Sequence, residues 1–517
     1  MYHEENRFFP PAAGPTSRRE VLRRGAAIAA VWAIAPSWTA AQGAPTTFDY
    51  YISPDGSDGN PGTLAQPWAI TSLQDTSPNN AKMQGKRTGL LPGTYSIGGM
   101  TSGSSPSNYE YSILAPPNGT ASAVTFIGTS DASGNYSPRT ATIVWSGAQT
   151  TNAIIGPNPN GSGYVTVDGL VINGGGLAGG HLFQVYSDRT DIYTTAGTLP
   201  GIVVQNCEMY GTNATDVGNN DSGVFLEGCA GALVQNNYFH DILKAPQPDH
   251  CHAYEEYGCQ NCRILYNTLS NVSGGIESKA GSGGTEVAYN YIYNSPYAAL
   301  VGFDGAEGNT NSPNLPYSIH HNVFDSNVGS AGYTVLSTDI NLLIEQDVSF
   351  YNNTVYDPRA GGPFMDVGLA ATNGASVSFY NNIMYCPSLT GADTSAHPGV
   401  LNVSSGAVGT LDYNCYFMAM LSLGLDGNVY STLSSWRAAT SADGHAIASD
   451  PGFAVPAAGG KGAQQFQPGS ASPCIGTGKG GVNIGAWDGK VQQIGCNFGP
   501  FSGSAPAVPS APVLTVS

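Results

Sequence analysis

The sequence predicts a parallel β-helix, an all-β solenoid in which short strands stack coil upon coil. The first observation is a recurring phrase of apolar residues that ends in a polar or aromatic residue followed by Asn. The second is its spacing of 38, 30, 31, 23, 32, 30, 29 and 33 residues, which is typical of stacked repeats. The third is the 68 Gly and 34 Pro, which would punctuate many short strands. The phrase ends at Asp168, in a degenerate first copy, and at Asn206, Asn236, Asn267, Asn290, Asn322, Asn352, Asn381 and Asn414.

The recurring Asn predicts a ladder of side-chain amides along one turn of the coils. Strands of neighbouring coils lie roughly 4.8 Å apart. An Asn at the same turn of every coil can therefore bond to the Asn above and to the Asn below. Such bonds would satisfy the polar groups of a buried turn, so we interpret the ladder as structural rather than catalytic.

Residues 1–41 are interpreted as an export signal of the twin-arginine type. Arg18 and Arg19 precede an apolar run from Gly25 to Ala35, and Thr39-Ala40-Ala41 offers a small-residue cleavage site. The apolar run is too short for a permanent membrane anchor. We therefore expect an exported protein, periplasmic or secreted, that crosses the membrane already folded.

Acidic residues outnumber basic ones, with 36 Asp+Glu against 18 Lys+Arg and a formal charge of −18. Residues 1–41 hold five basic and three acidic residues, so their removal leaves a charge of −20. This balance argues against nucleic acid and anionic membranes as partners. It also argues mildly against acidic polysaccharides, unless a cation bridges protein and substrate.

Nine cysteines leave at least one thiol unpaired within a monomer. An exported protein meets conditions that permit disulfides. Cys251, His252, Cys259 and Cys262 are suited to bind zinc as a Cys₃His set. The alternative is one disulfide together with buried thiols in a loop between coils.

Segments near both ends of the chain are similar to a known superfamily. Phe48 to Thr63, then Pro67-Trp68, and later Leu90-Leu91-Pro92-Gly93-Thr94-Tyr95 resemble the opening cap and first coil of the pectate-lyase-like right-handed β-helix superfamily. Residues 450–453, 472–476 and 483–486 resemble the closing segment of many exported members. The resemblance spans about residues 48 to 490 and implies one right-handed parallel β-helix, which we assign to residues 42–490. The Pro/Ala/Ser-rich composition of the last residues predicts a C-terminal tail over residues 491–517. It implies no single function, because the superfamily holds lyases, hydrolases, epimerases and adhesins.

Acids that end successive strands form the predicted functional column, in a chain with only 10% charged residues. Stacked like charges raise one another's pKa, so such a column is unfavourable unless it binds a cation or works as acid and base. The alternative is a solvated strand edge on which acids oppose aggregation. The predicted column comprises Glu227, Glu255, Glu256, Glu277, Asp304, Asp339 and Asp366.

Lys279 lies two residues after Glu277, so both side chains should leave the same face of a strand. Its surroundings resemble a turn of calcium-dependent pectate lyases and a segment of alginate lyases and chondroitinase B. Motifs that complete those sites are absent: residues 295–299 stand in place of the calcium motif, and residues 301–304 in place of the catalytic Arg. None of these known lyase sites is therefore completely present in this sequence. The alternative is a simple surface ion pair between Glu277 and Lys279.

Two enzymatic mechanisms remain open. In a calcium-assisted lyase, Lys279 would take the proton beside a uronate carboxyl group, and Ca²⁺ would neutralise that carboxylate. The ligands of this Ca²⁺ would be Glu227, Glu256 and Glu277. In a glycoside hydrolase, Glu277 with Asp304, or Glu256 with Asp304, would flank the glycosidic bond. Aromatic residues near the column would stack on sugar rings, and they are Tyr254, Tyr257, Tyr297 and Phe303.

The sequence thus predicts an exported protein whose partner is a polysaccharide. Calcium-assisted β-elimination of a uronate-containing glycan is preferred by a small margin. A glycoside hydrolase with paired carboxylates is the second hypothesis. A carbohydrate-binding or adhesive surface protein without catalysis is the third.

Overall fold

Short β-strands joined by tight turns dominate the computed structural model. All the residues that the structure describes belong to one compact unit that spans Pro45–Pro512. The described residues are 47–100, 112–146, 153–157, 162–177, 179–186, 198–214, 220–245, 250–295, 298–302, 315–325, 337–338, 347–358, 364–367, 376–390, 401–403, 405–406, 408–453 and 462–501.

The described strands are numbered in chain order. The first nineteen are β1 Tyr50–Ile52, β2 Arg87–Leu90, β3 Gly93–Ser96, β4 Ser112–Leu114, β5 Thr125–Thr129, β6 Ala141–Val144, β7 Ala153–Ile155, β8 Val165–Asp168, β9 Val171–Leu177, β10 His181–Val185, β11 Leu199–Pro200, β12 Val203–Gln205, β13 Glu208–Ala214, β14 Asp221–Glu227, β15 Cys229–Ala230, β16 Leu233–Gln235, β17 Tyr238–Lys244, β18 Cys251–Tyr257 and β19 Arg263–Leu265. The others are β20 Thr268–Val272, β21 Gly274–Lys279, β22 Glu286–Ala288, β23 Tyr291–Tyr293, β24 Ala298–Gly302, β25 Tyr317–His320, β26 Val323–Asp325, β27 Ser337–Thr338, β28 Val348–Tyr351, β29 Thr354–Tyr356, β30 Phe364–Val367, β31 Val377–Tyr380, β32 Ile383–Cys386, β33 Leu401–Val403, β34 Val408–Asp412, β35 Cys415–Met418, β36 Leu423–Leu425 and β37 Asn428–Tyr430.

Three long parallel sheets run through these strands. The first sheet has the order β1-β2-β5-β8-β12-β16-β19-β22-β25-β28-β31-β34, and the second has the order β3-β6-β9-β13-β17-β20-β23-β26-β29-β32-β35. The third sheet has the order β4-β7-β10-β14-β18-β21-β24. A five-stranded sheet, β27-β30-β33-β36-β37, is parallel except for its last pair, and β11 pairs with β15.

A typical coil contributes one strand to each of the three long sheets, as β16, β17 and β18 do in a single turn of the chain, and the later coils place their third strand in the five-stranded sheet. Every strand then pairs with the same strand one coil later, which is the connectivity of a parallel β-helix. The predicted right-handed parallel β-helix is therefore confirmed as the fold, with the hand that parallel crossovers adopt. Its interior is filled by aliphatic and aromatic side chains such as Ile127, Val167, Val204 and Ile264, all at most 1% exposed.

A column of Asn side chains runs along the turn between the first and second sheets. Asn290 Oδ1 accepts from the backbone N–H of Asn267 at 2.9 Å and from Asn267 Nδ2 at 3.1 Å. The Nδ2 of Asn290 in turn donates to Asn322 Oδ1 at 3.0 Å. The same pattern links one buried residue per coil, in the order Asn237, Asn267, Asn290, Asn322, Asn353, Asn382 and Asn414, and it ends on Asp443.

The residue before the column adopts a left-handed backbone conformation that reverses the chain. Asn206, Asn236, Asn352 and Asn381 occupy this turn position with φ between 51° and 57°. They are therefore not the column residues that the repeated phrase predicts. In the coils of Asn236, Asn352 and Asn381 the column residue is the next Asn, and Asn206 is followed by Cys207, whose backbone N–H donates to Asn237 Oδ1. Other coils place Tyr266, Tyr289, His321 and Tyr413 at this position.

A short α-helix, α1 Leu433–Thr440, closes the last described coil. The Thr432 side chain caps its first turn by accepting from the backbone N–H of Ser435. Trp436 on this helix is fully buried and donates to Asp443, the acid that ends the Asn column. Among the described residues, no helix is long and apolar enough to cross a membrane.

Residues 462–501, here named the C-terminal strap, run back along the outside of the solenoid. Gly485 N donates to Asn381 O at 2.8 Å, Gly495 N to Tyr289 O at 2.8 Å, and Asn497 N to Asn236 Oδ1 at 2.9 Å. Beyond these contacts, the Phe498 ring lies 3.6 Å from the Arg139 guanidinium carbon. Residues 491–501 thus pack against the coils, and the predicted tail over residues 491–517 is wrong for this part.

Candidate functional site

Strands β14, β18 and β21 of the third sheet bring together most of the charged residues that the sequence singles out. Glu255 in β18 pairs with Glu277 in β21, so the two carboxyl groups lie side by side on neighbouring coils. Two positions further on, Glu227 in β14 pairs with Tyr257 in β18, and Tyr257 pairs with Lys279 in β21. Glu255 and Glu277 therefore form one row, and Glu227 belongs to the next row.

Successive residues of a strand point to opposite faces of the sheet, and this separates neighbouring acids. Glu255 bonds to side chains of the outer face, whereas Glu256 bonds to side chains of the interior. We name His252, Glu255, Glu277 and Lys279 the outer cluster. Glu256, Cys259 and Cys262 are the inner cluster.

The outer cluster combines two carboxyl groups with two nitrogen bases. One ligand atom from each of His252, Glu255 and Glu277 lies within 4.8 Å of the other two. Lys279 Nζ lies 3.2 Å from Glu277 Oε1, and His252 Nδ1 lies 3.6 Å from Glu277 Oε2. Glu277 thus lies between two potential cations, as the two-residue spacing to Lys279 predicts for one of them.

Glu255 is fully buried, and Glu277 beside it is 4% exposed. Burial raises the pKa of Glu255, and the neighbouring Glu277 carboxylate raises it further. Ser222 Oγ donates to Glu255 Oε2 at 2.5 Å, and Asn220 Nδ2 donates to Glu255 Oε1 at 2.8 Å. The two carboxyl groups therefore differ in electrostatic environment, which is the arrangement that separates an acid from a carboxylate.

Aromatic and polar side chains form the rim of the outer cluster. The Tyr257 ring lies 5.0 Å from Lys279 Nζ and meets the Phe225 ring edge to face at 5.2 Å. Phe225 also stacks on the His181 imidazole at 4.7 Å. Asn220 connects this rim to Glu255, since its amide donates to both the Tyr257 hydroxyl and Glu255.

The inner cluster is enclosed by the coils. Glu256 is fully buried and accepts hydrogen bonds of 2.6 Å from Tyr254 OH, Ser278 Oγ and Thr285 Oγ1. Burial raises the pKa of Glu256, while these hydroxyl donors act in the opposite direction. Such a network is typical of a buried carboxyl group that orders a core.

The predicted calcium ligands Glu227, Glu256 and Glu277 do not converge on one point. Glu256 faces the interior, Glu277 faces outward, and Glu227 lies in the row of Tyr257 and Lys279. A cation that binds Glu277 would instead meet His252 and Glu255. The residues present therefore do not fit the three-acid site that the sequence predicts.

The predicted zinc set of Cys251, His252, Cys259 and Cys262 is also divided. His252 belongs to the outer cluster, whereas Cys259 and Cys262 lie beside Glu256 in the interior. All nine cysteines are buried free thiols in this structure. The Cys₃His site is therefore not assembled.

Of the predicted sugar-stacking aromatic residues, Tyr257 lies on the rim of the outer cluster. Tyr254 is 1% exposed and directs its hydroxyl to Glu256, so it serves the core. Tyr297, Phe303 and Asp304 lie outside the described residues, as does Asp339. The side chain of Asp366 is likewise outside the described part.

Sequence reasoning missed the role of Asn220 and Ser222, which hold Glu255, and considered His252 only as a zinc ligand. Asn220 and Ser222 lie around the start of β14, one coil before Glu255. Their polar side chains carry no sequence signal of their own. Their position beside Glu255 follows from strand register.

Comparison with solved structures returned several matches of low similarity. The structure titled pectate lyase Pel9A is 14% identical, covers 85% of this chain and 96% of its own, and has a TM-score of 0.45. XylC in complex with xylose is 12% identical over 71% of this chain and 83% of its own, with a TM-score of 0.40. A GH136 lacto-N-biosidase from Eubacterium ramulus is 13% identical over 71% of this chain and 63% of its own, with a TM-score of 0.38. Neither a protein-family profile nor a curated protein sequence matches the chain.

Proposed function

We propose that the chain is a glycan-active enzyme that hydrolyses glycosidic bonds with Glu255 and Glu277. The observation that carries this proposal is the pairing of the two glutamates at one register on adjacent coils, buried and in contrasting electrostatic environments. Paired carboxyl groups of this kind are the usual machinery for cleaving a glycosidic bond. The proposed substrate is the polysaccharide partner that the sequence predicts.

The electrostatic environments assign the two roles. Burial and the adjacent Glu277 raise the pKa of Glu255, so Glu255 is the proton donor. The ammonium of Lys279, 3.2 Å away, favours the ionised form of Glu277. Glu277 is therefore the carboxylate that faces the anomeric carbon.

A retaining reaction is the chemistry proposed for the pair, and in retaining enzymes the two carboxyl groups lie roughly 5–5.5 Å apart. Glu255 and Glu277 share a hydrogen bond in this structure, so a bound sugar would have to separate them. Glu255 would give its proton to the leaving glycosidic oxygen while Glu277 bonds to the anomeric carbon. Water would then attack that carbon with Glu255 taking a proton from it, which releases the sugar and restores both groups.

Calcium-assisted β-elimination of a uronate-containing glycan is the second candidate. The observation in its favour is that Lys279 and Glu277 share the outer face. Against it, an ion pair with Glu277 favours the charged ammonium of Lys279, whereas a base must be neutral. Calcium belongs to this candidate alone. The three acids predicted to hold it face different sides of the sheet, which is a second observation against β-elimination.

A panel of neutral and acidic glycans tests both candidates with two simultaneous readouts, reducing-end release and ultraviolet absorbance of unsaturated uronates. We expect reducing ends without ultraviolet absorbance, and a loss of at least about a hundredfold in rate for Glu255→Gln and for Glu277→Gln. Glu286→Gln is the matched control, because Glu286 lies in β22 of the first sheet and pairs with Arg263 and His320. This control should keep its activity.

The other outcomes discriminate among the hypotheses. Ultraviolet absorbance that chelation abolishes and Lys279→Ala removes would establish the lyase in place of the hydrolase. Glycan binding without turnover by either readout would establish a carbohydrate-binding protein. Unchanged activity in Glu255→Gln would refute the assigned acid.

A further inference from the structure

The inner cluster brings three metal-binding side chains together in the interior of the solenoid. One ligand atom from each of Glu256, Cys259 and Cys262 lies within 4.8 Å of the other two. Glu256 and Cys259 are fully buried, and Cys262 is 1% exposed. Glu255 and Glu277 belong to the opposite face of the third sheet, so the inner cluster is separate from the site proposed for hydrolysis.

The turn that follows β18 makes the three side chains converge. Gly258 and Asn261 adopt left-handed backbone conformations, with φ of 57° and 53°. These two bends let Cys259 and Cys262 follow Glu256 into the interior at intervals of three residues. Two cysteines separated by two residues are a common spacing of zinc ligands.

The surroundings of the ligand atoms suit negative charge. The backbone N–H of Cys229 donates to Cys259 Sγ at 3.3 Å, and a hydrogen bond of this kind favours the thiolate form of the sulfur. Glu256 Oε1 accepts two hydroxyl donors, whereas Oε2 accepts one. Because a carboxylate offers about four acceptor positions, Oε2 can also bind a cation.

We propose that Glu256, Cys259 and Cys262 bind a structural zinc ion, which enters while this coil folds. Thiolate sulfur and carboxylate oxygen are both zinc ligands, and a structural zinc site has four ligands. Cys229 lies beside Cys259 on the preceding coil, and rotation of its side chain would supply the fourth ligand. The complete site would then have the same net charge as a Cys₄ site.

Zinc binding would release the protons of the ligand thiols to solvent. In the protonated state, the Cys259 thiol donates to the carbonyl oxygens of Leu226 and Tyr257, each at 3.5 Å. Metal–sulfur bonds would replace these hydrogen bonds. The zinc ion would thus fix the turn between β18 and β19, and through Cys229 it would connect this turn to the preceding coil.

Metal analysis of the full-length protein tests this site. The protein is unfolded with a chelator and a thiol reductant, refolded with ZnCl₂ and reductant, and desalted. We expect about one zinc ion per folded chain. Glu256→Gln should weaken zinc affinity by more than the roughly 10–100-fold that loss of an outer-shell partner costs. A folded wild-type chain that retains no zinc would overturn the proposal.

Refolding with Co²⁺ in place of zinc shows whether thiolates hold the metal, because sulfur-to-cobalt charge transfer absorbs in the near ultraviolet. We expect this band in the wild type and its loss in the double variant Cys259→Ser/Cys262→Ser. Cys386→Ser is the control and should keep the band, since Cys386 is a buried thiol in β32 of the second sheet.

Two results of the cobalt experiment would refute the site. The first is a band that persists in the double variant, which would show metal held adventitiously by other thiols. The second is bound cobalt without the band in the wild type, and this result decides the question even where the double variant does not fold.

Discussion

Single Asn side chains satisfy the polar backbone of the turn between the first and second sheets. Asn322 Oδ1, for example, accepts from both the backbone N–H and the Nδ2 of Asn290. The period of the repeat made such a column predictable from the sequence. In coils with two consecutive Asn, the sequence pattern alone does not reveal which one enters the column, because the choice depends on the left-handed φ of the first.

Replacing Asn322 by Ala should destabilise the protein by about 2–3 kcal/mol, because two donors of Asn290 lose their buried acceptor. The free energy of unfolding in urea measures this effect. Asn428→Ala is the control, since Asn428 is exposed and forms only long bonds of 3.5 and 3.4 Å. A loss in Asn322→Ala no greater than in the control would contradict a stabilising role for the column.

His321 occupies the left-handed turn position, where burial and the neighbouring His320 lower its pKa from 6.5 to about 4. A His with a lowered folded pKa binds its proton first in the unfolded state. Stability is therefore lost as the pH falls from about 6.5 to about 4, by up to about 3 kcal/mol. The variant His321→Asn carries the residue that four other coils have at this turn position. Its free energy of unfolding should therefore change less as the pH falls.

Melting temperatures of both proteins at pH 7 and pH 4.5 measure this difference. Glu286, whose pKa is lowered to about 2 mainly by His320 and Arg263 against the effect of burial, titrates below this window. The contribution of Glu286 to the free energy of unfolding therefore stays nearly constant between pH 7 and pH 4.5. Equal acid sensitivity of the wild type and His321→Asn would show that His321 is not the titrating group.

The acids of the outer cluster show how much of the candidate site the sequence could predict. Glu277 and Lys279 were identified correctly as neighbours on one face, because only their spacing matters. Glu255 and Glu256 are adjacent in sequence, and the sequence did not reveal which of them faces outward. That choice follows from the packing of Tyr254 and Glu256 against the core.

The pH dependence of hydrolysis should reflect both members of the pair. Activity should fall on the alkaline side as Glu255 loses its proton, at a pH above the ordinary range for Glu. In Lys279→Met, kcat/KM should fall, because the variant lacks the ammonium that lies 3.2 Å from Glu277 Oε1. Profiles of kcat/KM against pH test the alkaline limb in the wild type, and an unchanged kcat/KM in Lys279→Met would exclude Lys279 from this electrostatic role.

At the level of strands, register places the two glutamates together. Glu255 and Glu277 are 22 residues apart, whereas the paired residues Phe225 and Glu255 are 30 residues apart. Because the coils differ in length, aligning their sequences does not reveal this register. Glu227 was therefore predicted to lie in the row of Glu277, whereas it lies in the row of Tyr257 and Lys279. Strand β21 approaches its neighbours closely because it begins with Gly274 and Gly275.

The two glycines of β21 should respond differently to substitution by Ala. A Cβ on Gly275 would lie 2.2 Å from the backbone oxygen of Ala299, and such a clash should destabilise the fold by about 1–3 kcal/mol. A Cβ on Gly274 would lie 2.2 Å from His252 Cδ2, the end of a side chain that can rotate. Gly274→Ala should therefore keep most of the stability and lose activity.

Melting temperature and hydrolysis rate, measured on the same preparations of both variants, test this contrast. The stability loss should be confined mainly to Gly275→Ala. If Gly274→Ala retained full activity, the position of His252 in the outer cluster would not matter for turnover.

For the whole molecule, the coils were predictable and the strap was not. The repeated phrase and the end segments predicted the β-helix over residues 42–490. The predicted tail began too early, because Pro, Ala and Ser dominate the residues after 501, whereas Ile494 and Cys496 further upstream are buried. The strap carries no repeat, so periodicity offers no signal for it.

Ending the chain after residue 461 should lower the melting temperature by several degrees and broaden the transition. A plain solenoid unfolds coil by coil, since each repeat contacts only its neighbours, whereas the strap spans many coils. Calorimetry of the truncated and full-length chains measures both effects. Phe498→Ala, which removes one contact with Arg139, should have a much smaller effect, and a truncated chain as stable as the full one would show that the strap is dispensable.

The strap also determines when folding is complete. The hydrogen bond between Asn236 and Asn497 joins residues that are 261 positions apart, and the contact between Arg139 and Phe498 likewise joins distant parts of the chain. Neither contact can form before the strap has been synthesised. Such contacts raise the contact order of a fold that is otherwise built from near neighbours, and high contact order slows folding. Coils that leave the ribosome early therefore remain uncovered on one side until the last residues are synthesised, so the cell must protect this surface for nearly the whole time of translation.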